Sequence, residues 1–250
     1  MEQAVWITER IKLLVKWGLF PGLDLHTRCR YRFLPTFFRS GEIDTLDAGC
    51  GNAALSYAAY LLGSRVLGIS NDPGQVEKAS ALSAFIGAPK ERLAFKLLNL
   101  YDLPQLNLQF DQIICSETLE HVKDDFLILK YFHSLLRASG VLHLCCPYAL
   151  HPEHELGRTN EPEDGRHVRD GYTMDSYKGL LDSAGFDIKL SAGLGSPIIV
   201  SLDRINRWFG SVFGVGGSAP FYFVTYPLHR LDYLNPPVPY SLYVQAIKRS

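Results

Sequence analysis

The chain has 250 residues, with 25 Lys and Arg against 26 Asp and Glu. That length suffices for one α/β domain with a full core, and a net charge of −1 excludes the broad cationic surface of a non-specific nucleic-acid binder. Cys29, Cys50, Cys115, Cys145 and Cys146 are scattered and form no C-x-x-C pair, which argues against a disulfide framework or zinc cluster and for a reducing cytoplasm.

Residues 2–20 place Val5, Ile7, Ile11, Leu14, Val15 and Leu19 near helical spacing, predicting an amphipathic helix packed on the domain. Glu2, Glu9, Arg10, Lys12 and Lys16 interrupt it, unlike a signal peptide. No apolar run reaches the roughly 20 residues of a spanning helix. Arg28 to Phe38 is aromatic and basic. Thr45 to Ala53 then reads T-L-D-A-G-C-G-N-A, an apolar run ending at Asp47 and two closely spaced glycines. Gly49 and Gly51 carry no Cβ, so backbone N–H groups there can approach a ligand closely.

Further along, Leu55 to Leu62 reads as helix and Val66 to Ile69 as strand. Asp72-Pro73 reads as a helix cap with Pro at the first helical position, opening a helix that runs to about Ile86. Leu93 to Leu98 and Phe110 to Cys115 are the next strands. Phe126, Leu129, Phe132 and Leu136 form a helical stripe that should end at Ser139-Gly140, before a strand from Val141 to Cys146. A helix from Thr173 to Gly185 precedes a strand at Phe186 to Leu190, and a last strand spans Tyr240 to Ile247. This alternation predicts an α/β fold, a largely parallel sheet with helices on both faces and a site at the strands' carboxyl ends.

D-A-G-C-G lacks the spacing of a dinucleotide-binding loop, because position 54 is Ala and Asp47 would repel a pyrophosphate. The stretch resembles the [DE]-x-G-x-G loop of class I S-adenosylmethionine-dependent methyltransferases. Four later segments follow the same family's order: V-L-G-I-S, L-L-N-L-Y-D-L-P, F-D-Q-I-I-C-S-E-T-L-E-H-V-K-D, and L-L-R-A-S-G-V-L. The resemblance implies a Rossmann-like seven-stranded sheet, mostly parallel, whose last strand is antiparallel. It also implies a single domain, with residues 1–40 as an N-terminal helical lid and 41–150 as the cofactor core. Residues 151–172 and 198–239 would be acceptor-side insertions, the second aromatic-rich and preceding the last strand.

The implied cofactor is S-adenosyl-L-methionine, leaving as S-adenosyl-L-homocysteine. By resemblance, Asp47, Gly49, Cys50 and Gly51 lie beside its methionine part, with Ser116 and Glu117 beneath. Ser70 stands where the family usually carries the acid that binds the ribose hydroxyls, so Asn71, Asp72 or Gln75 would substitute. Asn99 falls where an Asp usually meets the adenine amino group, and Leu100 flanks the ring.

Methyl transfer to oxygen or nitrogen often needs a base, and histidine suits neutral pH. His121, His151, His154 and His167 are the candidates, the last three in a long polar loop beyond the fifth strand. Arg166 or Arg169 would meet an anionic part of the acceptor. In some relatives E-x-x-E-H binds a divalent ion with help from a later His. The expectation is an enzyme without metal; if an ion is held, Glu117, Glu120 and His121 are its ligands here. The Gly-rich aromatic insertion could form an apolar acceptor pocket, a homodimer face or a peripheral membrane contact. The leading functional expectation is O-methylation of a small-molecule, saccharide or natural-product acceptor. The alternatives are C- or N-methylation of a lipid-like acceptor, or a non-catalytic cofactor-binding relative.

Overall fold

The computed structural model describes residues 19–22, 24–154, 163 and 165–249, with side chains of 215–219 not described. The expected N-terminal helix over residues 2–20 falls almost wholly outside them. Seven strands form one sheet in the order β3-β2-β1-β4-β5-β7-β6. They are β1 (Asp44–Ala48), β2 (Arg65–Ser70), β3 (Leu93–Leu97), β4 (Phe110–Ser116), β5 (Leu136–Pro147), β6 (Phe186–Leu194) and β7 (Ser241–Lys248). The β1, β2, β3, β4 and β5 pairings are parallel, and β7 runs antiparallel to both β5 and β6. The order reverses between β1 and β4, so the carboxyl ends of these two strands open a crevice.

The central strands bury apolar side chains toward both faces because helices cover both. On one face, Leu46, Ile113, Leu142 and Leu144 pack with Leu129 and Phe132 of α4 (Asp125–Leu135) and with Tyr177 and Leu181 of α5 (Met174–Ala184). On the other face, Val66, Ile114, Cys145 and Tyr243 pack with Cys29 of α1 (Leu25–Phe33) and Leu55 and Ala59 of α2 (Ala54–Leu61). Local chemistry sets the helix ends. The Asp72 side chain accepts from the backbone of Gly74 and Gln75 at the start of α3 (Pro73–Phe85). Thr173 and Ser176 form a reciprocal capping box on α5, and Gly185 closes it at φ +92°. All five cysteines are buried and free.

β6 runs on to Leu194, beyond the expected end at Leu190, and two further stretches are notable. The helical stripe stops at Leu135, not at Ser139-Gly140, because Leu136 turns extended, is fully buried and pairs with Phe110 at the entry of β4. Ser139 then takes a left-handed φ of +59°. The insertion before β7 is chiefly helical, as α6 (Pro197–Thr225), followed by a 3-10 turn over Tyr226–Leu231. Gly214, at φ +68° and ψ 174°, breaks α6 into two arms. They fold back on each other: Phe209 stacks on Phe221 at 3.4 Å, and Asn206 Nδ2 donates to Thr225 Oγ1 at 3.0 Å. No helix among the described residues is long and apolar enough to cross a membrane.

Candidate functional site

The β1–α2 turn is held by the neighbouring strand: the N–H groups of Gly49 and Cys50 both donate to the Ile69 carbonyl. Gly49 has φ +83°, and a Cβ there would overlap the Thr118 side chain, so the turn and the β4 loop touch where only glycine fits. A cleft of about 470 Å³ opens beside them, lined by Gly49, Gly51, Ser70, Asn99, Glu117 and His121, among others. A second lobe of about 190 Å³ shares Gly49, Gly51 and Glu117 and adds Arg30, Asp47 and Ser116. The candidate cofactor residues are thus brought together from four strand ends.

In the larger lobe, Ser70 Oγ donates to Gln75 Oε1 at 2.8 Å and accepts from the Asp72 N–H at 3.1 Å, while Asn71 lines the wall. β2 itself ends in a hydroxyl, followed by an amide, while the Asp72 carboxylate, which also lines the lobe, is turned to capping α3. The Asn99 side-chain oxygen accepts from the Tyr101 N–H at 3.0 Å, capping a 3-10 turn, and Leu100 lies buried behind it. Glu163 reaches across the rim, accepting from the Tyr101 hydroxyl at 2.7 Å.

In the smaller lobe, Asp47 is buried and accepts from Ser56 Oγ at 2.5 Å. Burial raises its carboxyl to about 6, against that hydrogen bond. The folded chain therefore keeps a proton that the unfolded chain has lost between about pH 4 and 6. The stability contribution is fullest below pH 4 and falls as pH rises through that window, by roughly 3 kcal/mol. Asp47→Asn is expected to be about 2 kcal/mol more stable than the parent at pH 7 and no more stable at pH 4. Denaturant titrations at the two values test this, and parallel pH dependences would contradict it.

Glu117 adopts φ +50°, rare for a side-chain-bearing residue and a store of local strain, and its N–H donates to the Cys145 carbonyl at 2.7 Å. Its carboxylate lies 3.4 Å from Arg30 and accepts from Ser241 Oγ at 3.1 Å. Arg30, on α1, was not singled out in the sequence. The only signal is its place in the basic, aromatic stretch from Arg28, since its partner lies far away in the chain.

The four histidines fall into two pairs. His121 and His167 meet edge to face at 4.7 Å, with the Glu120 carboxylate 3.9 Å and 4.0 Å from their Nε2 atoms. Glu120 is fully buried, and neither oxygen has a hydrogen-bond partner. Burial pushes its carboxyl well above the usual carboxylate range, and the neighbouring Glu117 charge adds to this. One ligand atom from each of Glu120, His121 and His167 lies within 4.8 Å of the others. Glu117 turns to Arg30 and Ser241, so the cluster takes His167 in its place.

His151 and His154 pack at 5.1 Å and flank Tyr240. The Nδ1–H of His154 donates to the Tyr148 carbonyl at 2.8 Å, leaving Nε2 as the lone-pair nitrogen, buried and without a partner. His151 has the opposite arrangement, its Nδ1 accepting from the Glu153 N–H at 3.2 Å. Burial lowers the titration of both His151 and His167, with neighbouring His154 adding to the first and His121 to the second. Beyond Tyr240, a cavity of about 380 Å³ is lined by Asp24, His26, Asp203, Arg207, Tyr222 and Tyr240. Arg169 is engaged within the fold: it pairs with Asp125 and donates to the carbonyls of Val122 and Lys123, pinning the long loop to the β4–α4 connection.

A family model described as a methyltransferase domain matches residues 40–178, more than half of the chain. The chain belongs to the class I S-adenosylmethionine-dependent methyltransferases. Within the family, it is 32% identical over 131 residues to the ubiquinone biosynthesis O-methyltransferase of Haemophilus ducreyi, covering 51% of this chain and 55% of that protein. Matches to the first curated relatives span 25–55% of their length. Among solved structures, a putative S-adenosylmethionine-dependent methyltransferase from Listeria monocytogenes superposes with a TM-score of 0.61 at 17% identity, covering 90% of this chain and 99% of that one. Magnesium protoporphyrin IX methyltransferase from Synechocystis PCC 6803, solved with bound S-adenosylmethionine, gives 0.55 at 17% identity, covering 90% and 78%. These superpositions establish the shared fold.

Proposed function

We propose that the chain is an O-methyltransferase that places S-adenosylmethionine in the two-lobed cleft and a hydroxyl acceptor against the histidine clusters. The observation that carries this is that the Gly49–Gly51 turn and His121, a member of the Glu120-His121-His167 cluster, open onto the same cleft. The bound cofactor would supply an electrophilic methyl carbon. Asp47, Cys50, Ser116 and Glu117 would line its methionine part; Ser70, Asn71 and Gln75 its ribose; Asn99 and Leu100 its adenine. A cationic amino group would favour the ionised form of Asp47. The N-terminal helices from α1 would cover the cleft, with Arg30 held to Glu117 at the seam.

The donor set of Glu120, His121 and His167 suits a divalent transition metal, because two imidazoles and a carboxylate are its usual ligands and both Glu120 oxygens are buried without partners. Such an ion would lower the pKa of a hydroxyl acceptor. His154 would then take the proton at Nε2, its ring fixed by the Tyr148 carbonyl. His151 would hold the wall of the acceptor path through Tyr240. The name of the Haemophilus relative, an O-methyltransferase, points to the same acceptor atom.

Incubation with methyl-labelled S-adenosylmethionine and hydroxylated aromatic acceptors, with and without a prenyl tail, tests the proposal. Label should appear in an ether. EDTA should lower turnover, and Glu120→Gln should lower it by about 10²-fold with no recovery on adding divalent metal. Label on nitrogen or carbon, or turnover indifferent to both EDTA and Glu120→Gln, would count against this reading.

A further inference from the structure

The two arms of α6 leave a set of large apolar side chains facing solvent. Trp208, Val212, Phe213, Phe223 and Val224 are each more than half exposed, and they lie on both arms around the Gly214 break. From Trp208 to Leu228 the sequence contains no Asp, Glu, Lys or Arg. Charge returns at the base of both arms. Arg204 and Arg207 precede Trp208, and Arg230 lies in the 3-10 turn that follows the other arm. Arg32 of α1 joins them by donating to the His229 carbonyl at 3.0 Å. All four arginines are exposed. The carboxylates that balance two of them, Glu153 and Asp203, sit inward with side chains only 17% and 14% exposed.

We propose that this helical hairpin inserts its tip into the headgroup region of an anionic lipid bilayer. The pattern is that of an interfacial anchor, with exposed apolar and aromatic side chains on a charge-free hairpin and arginines at its base. A second copy of the chain would set these same arginines near one another, whereas an anionic surface complements them. Arginine at the collar favours anionic over zwitterionic headgroups. The hairpin dips and does not span, since no described helix is long and apolar enough to cross. The base of the first arm, with Asp203 and Arg207, forms part of the Tyr240 cavity, so the anchor would set that cavity's mouth near the lipid surface.

Sedimentation of the full chain with phosphatidylglycerol vesicles and with phosphatidylcholine vesicles reads out the contact. The full chain should bind the former, and binding should fall with added salt. Phe213→Asp and Val224→Asp should each weaken binding by at least about tenfold while leaving thermal stability and S-adenosylhomocysteine affinity unchanged. Arg230→Gln should erode the preference for phosphatidylglycerol. With Trp6→Phe and Trp17→Phe in place, the emission of Trp208 should shift to the blue on vesicles, which tests the apolar surface without altering it. Absence of sedimentation with an unchanged Trp208 spectrum overturns the proposal. So does a dimer in light scattering that Val224→Asp converts to monomer, because a second copy then covers the face.

Discussion

Replacing Gly49 by alanine is expected to weaken S-adenosylhomocysteine binding by at least about 100-fold and to cost the fold about 2–3 kcal/mol. Two effects add. The φ of +83° is strained for any residue with a Cβ, and that Cβ would overlap the Thr118 side chain. Thr118 cannot easily yield, because its hydroxyl donates to the Ser116 carbonyl at 3.0 Å and its chain neighbour Glu117 is already held in a left-handed conformation. Any retreat would move Ser116 and Glu117, which line the smaller lobe. Gly51 offers the contrast. Its φ is +51°, but a Cβ there meets nothing closer than the Gly49 carbonyl at 4.0 Å. Gly51→Ala should cost about 1 kcal/mol and leave more of the affinity intact. Calorimetry and thermal denaturation on both variants make the comparison. Equal behaviour of the two would show that contact between the β1 and β4 loops does not shape the cleft.

The second large effect concerns His154. If its Nε2 takes the acceptor's proton, His154→Ala should lower kcat by about 10²–10⁴-fold while cofactor affinity stays within a few-fold of the parent. His151→Ala should do much less, because Nδ1 of His151 already accepts a backbone hydrogen bond, leaving its Nε2 to carry the proton. The pair lies 5.1 Å apart, so general disruption of the loop would strike both variants alike. A His154→Ala enzyme with parental kcat, or equal losses in the two variants, would remove His154 from the proton transfer.

The sheet was legible in the sequence wherever burial is local and continuous. Ile113 to Cys115 and Val66 to Ile69 are short runs rich in β-branched and other apolar residues, and both lie in strands. Asp72-Pro73 and Thr173 announced helices through side chains that cap their own backbone. Failures came where the deciding contact is distant. Leu136 looked like the last rung of a helical stripe, yet pairing with Phe110 makes it the first rung of a strand. The insertion's helical period was masked by Gly210, Gly214, Gly216, Gly217 and Pro220, whereas the antiparallel closure of the arms supplies what propensity lacks. In the site, the Gly49–Gly51 turn and the E-x-x-E-H run could be read because each is contiguous. The resemblance offered a later His without fixing which one, because the meeting of His167 with Glu120 depends on how the loop returns beyond the end of β4. There the Val168 N–H donates to the Glu120 carbonyl at 2.9 Å.

Leu194, the last residue of β6, pairs directly with Ser241, the first residue of β7. The whole excursion over residues 195–240 therefore leaves and rejoins the sheet at one rung. Loop-closure cost grows only slowly with the length between such fixed points, so the excursion can be shortened, lengthened or exchanged with little demand on the strands beneath. In engineering terms it is a cassette. Exchanging it would require that the contacts to α1, such as Arg32 with the His229 carbonyl, be remade.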